Sequence, residues 1–198
     1  MKRLVLTVLA ALAVCAPAWS YKILYAEQFY RLFHLHLGQY PERTAENIWY
    51  LQQALRSDFA NPLNALALIK DERDWERYRY LFNMHVNLKL IELHLHWGSK
   101  YDRQAAYFFN APWRDDNLKS LERAESLYEH ARSYWQEAKN WSAKAWPLKI
   151  RLARIQRWED ENHRIESGEL DYSAIIDKHL GRLRELRAKF EAMNASTY

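Results

Sequence analysis

The sequence predicts an all-α protein: antiparallel helical hairpins forming a bundle of about six helices, behind a leader segment. Three observations carry this. Apolar residues recur at three- and four-residue intervals over long stretches. Only 4 Gly and 5 Pro punctuate the 198 residues, too few for a loop-rich β-sandwich. Aromatic residues make up 15% of the chain, enough to fill a core without covalent staples.

The leader comes first. A basic head, Met1 to Arg3, precedes an apolar run from Leu4 to Val14 and the small residues Ala18 and Ser20. This is the layout of a secretory signal, with cleavage expected after Ser20. The run is too short to span a bilayer. Leu12 to Cys15 also loosely resembles a bacterial lipobox, in which Cys15 would carry the lipid, although Val14 fits poorly just before it. Loss of residues 1–20 removes Lys2 and Arg3 and lowers the formal charge from +4 to +2. That weakens the basic isoelectric point as an argument for nucleic acid. The only cysteine goes too, so the mature chain, residues 21–198, must be stable through its core alone, as one domain.

The first mature helix is expected from Tyr21 to Leu37, stopped by Gly38. The second should begin at Pro41 and present Ile48, Leu51, Ala54 and Leu55 on one face. Asn61-Pro62 closes it and opens the next with proline in its first turn, and a short apolar piece, Leu63 to Ile69, leads into the charged run Lys70 to Asp74. From Trp75 to Trp97 two stripes coexist: Leu81, Met84, Leu88, Ile91 and Leu95, and Phe82, Val86, Leu90, Leu93 and Trp97. A run this long without Gly or Pro predicts a central helix buried on two sides. A further helical stretch is expected over Asp102–Phe109, broken by Ala111-Pro112-Trp113. Asp116 to Asn140 is amphipathic through Leu118, Leu121, Ala124, Leu127, Tyr128, Ala131 and Trp135. Pro147 should bend or restart the next helix, which carries Leu148, Leu152, Ile155 and Trp158 inward and is ended by Gly168. Asp171 caps the last helix, where Ile176, Leu183 and Phe190 alternate with His179, Leu186 and Met193.

Residues 33–45 and 93–105 match at a shift of sixty: His34/His94, Leu35/Leu95, His36/His96, Gly38/Gly98, Arg43/Arg103 and Ala45/Ala105 are identical. This predicts a duplicated helix–turn–helix corner. Ala124, Tyr128 and Ala131 have the small–aromatic–small spacing of a tetratricopeptide-like second helix, and Trp97-Gly98 to Tyr101 resembles the first-helix step of those repeats. The resemblance covers about thirty residues and implies a surface for a protein partner. The leader, the aromatic-rich helices and the run Ala131 to Ala138 also resemble spirochaetal periplasmic helical proteins of the flagellar motor collar. That resemblance implies a structural part in an envelope assembly.

Candidate chemistry is sparse. His34-x-His36 and His94-x-His96 are possible metal ligands, but histidines two apart on a helix point about 200° away from each other. Asp160 and His163 echo one carboxylate–histidine pair of a di-iron bundle, which needs two such pairs. No Gly-rich phosphate loop, Gly-x-Ser-x-Gly elbow or His-Glu-x-x-His is present. The expectation is therefore a non-enzyme without cofactor or metal. Two basic stretches, Lys149, Arg151, Arg154 and Arg157, and Arg182, Arg184, Arg187 and Lys189, have acidic neighbours that offset them. Trp135, Trp141, Trp146 and Trp158 are of a type that fills cores, but tryptophan and arginine also dominate interface hot spots, so Trp135, Trp141, Trp146, Arg151, Arg154 and Trp158 form the candidate partner surface. The expected function is a periplasmic scaffold or adaptor. It would bind other envelope or flagellar-motor proteins rather than nucleic acid, and would touch the membrane only if Cys15 is lipidated. Oligomerisation is left open. The alternative is a solute-binding accessory protein or lipoprotein serving a transporter.

Overall fold

A computed structural model describes residues 22–102, 109–194 and 196. It is all-helical, with six α-helices among the described residues: α1 Ala26–Gln39, α2 Thr44–Arg56, α3 Glu72–Tyr101, α4 Arg114–Ala145, α5 Gln156–Glu166 and α6 Tyr172–Glu191. No described helix is long and apolar enough to cross a membrane.

Both apolar stripes of α3 are buried as far as Ile91, and their last members, Leu93, Leu95 and Trp97, are half-buried against the core. Tyr78, Leu81, Phe82, Met84, Val86, Leu88, Leu90 and Ile91 all lose their solvent contact. Each such side chain contributes about 1.5–3 kcal/mol when fully removed from water. A helix with this pattern needs neighbours on several sides, and α4 supplies the largest contact. The two run antiparallel: Ser120 Oγ donates to the Tyr101 carbonyl, while Trp141 lies 5.9 Å from Tyr80 at the other end. Helix α6 packs antiparallel to α4 in turn, through Trp135 Nε1 donating to Ser173 Oγ (2.8 Å) and Arg187 pairing with Glu125 (2.5 Å). As expected, Asp171 caps α6, accepting from the Ser173 amide, and Gly168 adopts a φ of 80° just past α5.

Several boundaries differ from the sequence reading. Helix α1 starts at Ala26 because Tyr25 is extended beside Asp58, whose carbonyl takes the Ala26 amide. The Gln28 side chain then accepts from the Leu24 and Tyr25 amides. Gly38 does not stop α1, which continues to Gln39, and Pro41 lies in the turn before α2 rather than within it. That corner is closed by buried Asn47, which bonds both His36 and the Tyr40 carbonyl. Proline 62 opens only a short 3-10 turn, Pro62–Asn64. Asp102 caps α3, and residues 103–108 of the expected 102–109 helix lie outside the described residues, as do residues 1–20 of the leader.

The largest correction concerns Pro147. It sits in a 3-10 turn, Trp146–Leu148, and no helix forms until Gln156. Lys149 (φ 47°) and Arg154 (φ 76°) are left-handed, which turns residues 149–155 into an irregular strap. Leu152 and Ile155 still point inward as expected, but from the strap.

The two glycines that match at the shift of sixty, Gly38 and Gly98, occupy different environments. Gly98 is packed so closely that an added methyl would lie 2.5 Å from the Tyr128 ring, whereas one at Gly38 would meet nothing within 4 Å. Gly98 of α3 and Tyr128 of α4 are thus in close contact where these two helices pack. Gly98→Ala should cost about 1–3 kcal/mol through overpacking. Gly38→Ala should be neutral or stabilise by up to about 1 kcal/mol, because alanine is the better helix former. Urea unfolding of both variants checks this, and equal shifts would mean that the two glycines are structurally equivalent.

Candidate functional site

The six candidate partner residues divide cleanly. Trp135 is 2% exposed and Trp158 5%, so both are core and neither can face a partner. Trp158 stacks on His85 at 4.9 Å, and Trp135 meets the Tyr172 ring edge-on. Trp141 is half-buried against Tyr80, with Lys144 4.1 Å above its ring. Only Trp146 (40% exposed), Arg151 and Arg154 stand at the surface, and all three belong to the stretch from the 3-10 turn to the end of the strap.

The strap is held from beneath. Arg77, nearly buried on α3, donates to the Ala145 carbonyl at the end of α4 and forms a two-bond ion pair with Glu159 of α5. Glu159 also accepts from the Leu152 amide (3.1 Å), and the Ala153 carbonyl accepts from the Leu68 amide. One guanidinium therefore ties the end of α4, the strap and the start of α5 together. Left-handed backbone at a side-chain-bearing residue costs on the order of 1–2 kcal/mol, and here it occurs twice, at the first and sixth of the seven residues of the strap. The exposed cations of that segment, Lys149, Arg151 and Arg154, have no carboxylate within ion-pair distance among the described residues. By contrast, Arg157 pairs with Glu161 on its own helix. The sequence reading placed all four on one helix with acidic neighbours, and the break at Pro147 removes that compensation for three.

Beside the strap lies a cleft of about 420 Å³. Trp146, Lys149 and Arg151 form one wall, and Asp160 and His163 of α5 form the other, with the Arg77–Glu159 pair at the base. The Asp160–His163 pair is thus on the cleft wall, with the His163 ring 5.9 Å from Trp146. No group of three or more His, Cys, Asp or Glu that could hold a metal ion occurs among the described residues. One histidine of each His-x-His pair bonds within the helical framework. His36 bonds Asn47 and Glu46 across the α1–α2 corner, and buried His94 Nδ1 donates to the Leu90 carbonyl one turn back.

A second polar cluster escaped the sequence reading. Tyr30 of α1, His85 of α3 and Glu161 of α5 form a buried chain: the Tyr30 hydroxyl donates to His85 Nε2 (2.8 Å), and His85 Nδ1 donates to Glu161 (2.5 Å). The geometry is that of a base with its orienting carboxylate. However, Tyr30 lies under Phe82 and Trp158, and the Glu161 end alone borders a surface cleft. Its evident work is to satisfy three polar groups where three helices meet. The partners are separated by 55 and 76 positions, so no local spacing announces them.

Residues 73–193 match the family described as Domain of unknown function (DUF8513). The chain belongs to that family. No curated protein and no solved structure matches it. The DUF8513 segment takes in nearly all of α3 together with α4, the strap, α5 and α6, while the α1–α2 hairpin lies before it.

Two predictions follow from this geometry. Glu159→Ala would leave Arg77 buried and unpaired, and is expected to destabilise the fold by roughly 3–5 kcal/mol, read as a lower urea midpoint. Burial holds His34, His85, His94 and His179 below the usual value of 6.5, for His85 in spite of Glu161. Below 6.5 the unfolded chain therefore binds more protons, and stability falls as pH drops. Glu27, raised by burial, acts in the opposite sense. The melting temperature should therefore be lower at pH 5.5 than at pH 7.5, and Glu27→Gln should widen the gap. A profile that stays flat in the Glu27→Gln variant as well would overturn the depressed histidines.

Proposed function

We propose that this DUF8513 protein is a non-enzymatic helical scaffold or adaptor that binds another protein through its basic strap. One observation carries the reading: Lys149, Arg151 and Arg154 are exposed on a short irregular strap with two left-handed residues, braced by a buried ion pair, and Trp146 is exposed in the 3-10 turn that leads into it. Backbone strain retained at a surface is a feature of binding segments, since it orders the side chains before the partner arrives. Trp and Arg are the residue types that anchor interfaces.

The leader-like residues 1–20 favour an extracytoplasmic compartment, and an envelope assembly is the setting in which such an adaptor would act. The tetratricopeptide-like fragments and the likeness to flagellar-motor collar proteins agree with that setting. A transporter's solute-binding accessory protein fits less well, because the clefts beside the strap and between α4 and α6 are lined chiefly by charged side chains.

The test is crosslinking in intact cells through lysines such as Lys139, Lys144 and Lys149, comparing the native chain with an Arg151→Glu/Arg154→Glu variant of unchanged melting temperature. Recovery of an envelope protein by the native chain, reduced at least about fivefold in the variant, is the expected result. Equal recovery by both would exclude the strap as the binding surface.

A further inference from the structure

The cleft beside the strap has a charge pattern that selects a class of occupant. Arg77 and Glu159 neutralise each other at its base. Lys149 and Arg151 remain on one wall and Asp160 on the other, with the Trp146 ring between the strap and His163. A simple anion such as phosphate would be drawn to the two cations but repelled by Asp160. A flat anionic membrane surface would meet the cations of the strap but would leave Asp160 unmatched. A polypeptide carries both complements at once, with acidic side chains for Lys149 and Arg151 and backbone N–H donors for Asp160. The volume, about 420 Å³, is within the range that holds a small ligand or a few side chains. The indole of Trp146 offers an apolar face to a leucine-like side chain, and cations of the strap without a carboxylate in pairing range are those most able to steer an acidic partner.

We infer that the cleft between Trp146–Arg151 and α5 is a docking site for a short acidic peptide segment of a partner protein. The carboxylates of that segment meet Lys149 and Arg151, its apolar side chain rests on Trp146, and its main-chain N–H is accepted by Asp160. Arg154, at the far end of the strap, lies beyond the cleft lining and extends the positive edge along which the segment approaches. The inference rests on the scaffold reading above but is narrower, since it fixes the chemistry of what is bound.

The full chain would be titrated with a fluorescein-labelled octapeptide of alternating glutamate and leucine, and with its glutamine counterpart, at low and physiological salt. Inorganic phosphate and phosphatidylglycerol vesicles would be offered in parallel. The expected result is saturable binding of the glutamate peptide, at least about tenfold tighter than the glutamine peptide and weakened by salt. Lys149→Glu/Arg151→Glu should abolish it without changing the melting temperature, and Trp146→Ala should weaken it severalfold. Equal binding of both peptides, indifference to the charge reversal, or binding of vesicles or phosphate in place of the peptide would overturn the inference. If the peptide fails while the cellular crosslink remains strap-dependent, the scaffold reading stands and the acidic-segment inference alone falls.

Discussion

Helix α3 is apolar around so much of its circumference that it cannot persist in water unless other helices enclose it. Much of the architecture follows from that requirement. Helix α4 covers one side along the full length, the α1–α2 hairpin covers another, and α5 closes the gap between them through Trp158. Enclosure has a second consequence, because α3 also carries polar groups into the interior. Arg77, His85, Asn87 and His94 are all buried, and each needs hydrogen bonds that water no longer supplies. Arg77 finds Glu159, His85 finds Tyr30 and Glu161, and His94 and Asn87 turn back on their own helix carbonyls. These bonds are directional, so they fix the position of α5 where greasy contacts alone would let it slide.

The strap is the product of this positioning. Residues 149–155 could not hold two left-handed backbones by themselves. They do so because Leu152 and Ile155 are anchored in the core, and because Glu159, already placed by Arg77, reaches up to the Leu152 amide. The exposed cations of the strap are therefore displayed by a framework rooted in the centre of the bundle.

How much of this was legible in the sequence depends on the range of the interaction. The double stripe of α3, the amphipathic face of α4, the Asp171 cap and the Gly168 stop are local signals, and each was read correctly. The strap was misread as helix because Lys149 and Arg154 carry none of the glycine or asparagine signature that usually marks left-handed backbone. The irregularity there is imposed by tertiary bonds, Arg77 to Glu159 across 82 positions above all. The candidate site was half visible. Trp146, Arg151 and Arg154 were singled out by residue type and do lie together, whereas Trp135 and Trp158 were grouped with them although burial turns both inward. The helical periodicity places Trp135 and Trp158 on inward stripes, and it is this signal, rather than residue type, that separates them from the exposed Trp146.

The family segment begins at residue 73, yet the hydroxyl that satisfies His85 comes from Tyr30, and the carboxylate that meets the Tyr78 hydroxyl and the Ala60 amide is that of Glu27. The boundary recognised by sequence is thus not a boundary of cooperativity. A fragment cut at residue 73 would bare an imidazole, a phenol and the face of Trp158 to solvent, so the hairpin and the family segment should melt as one unit, and domain dissection at that point would separate halves of a single core.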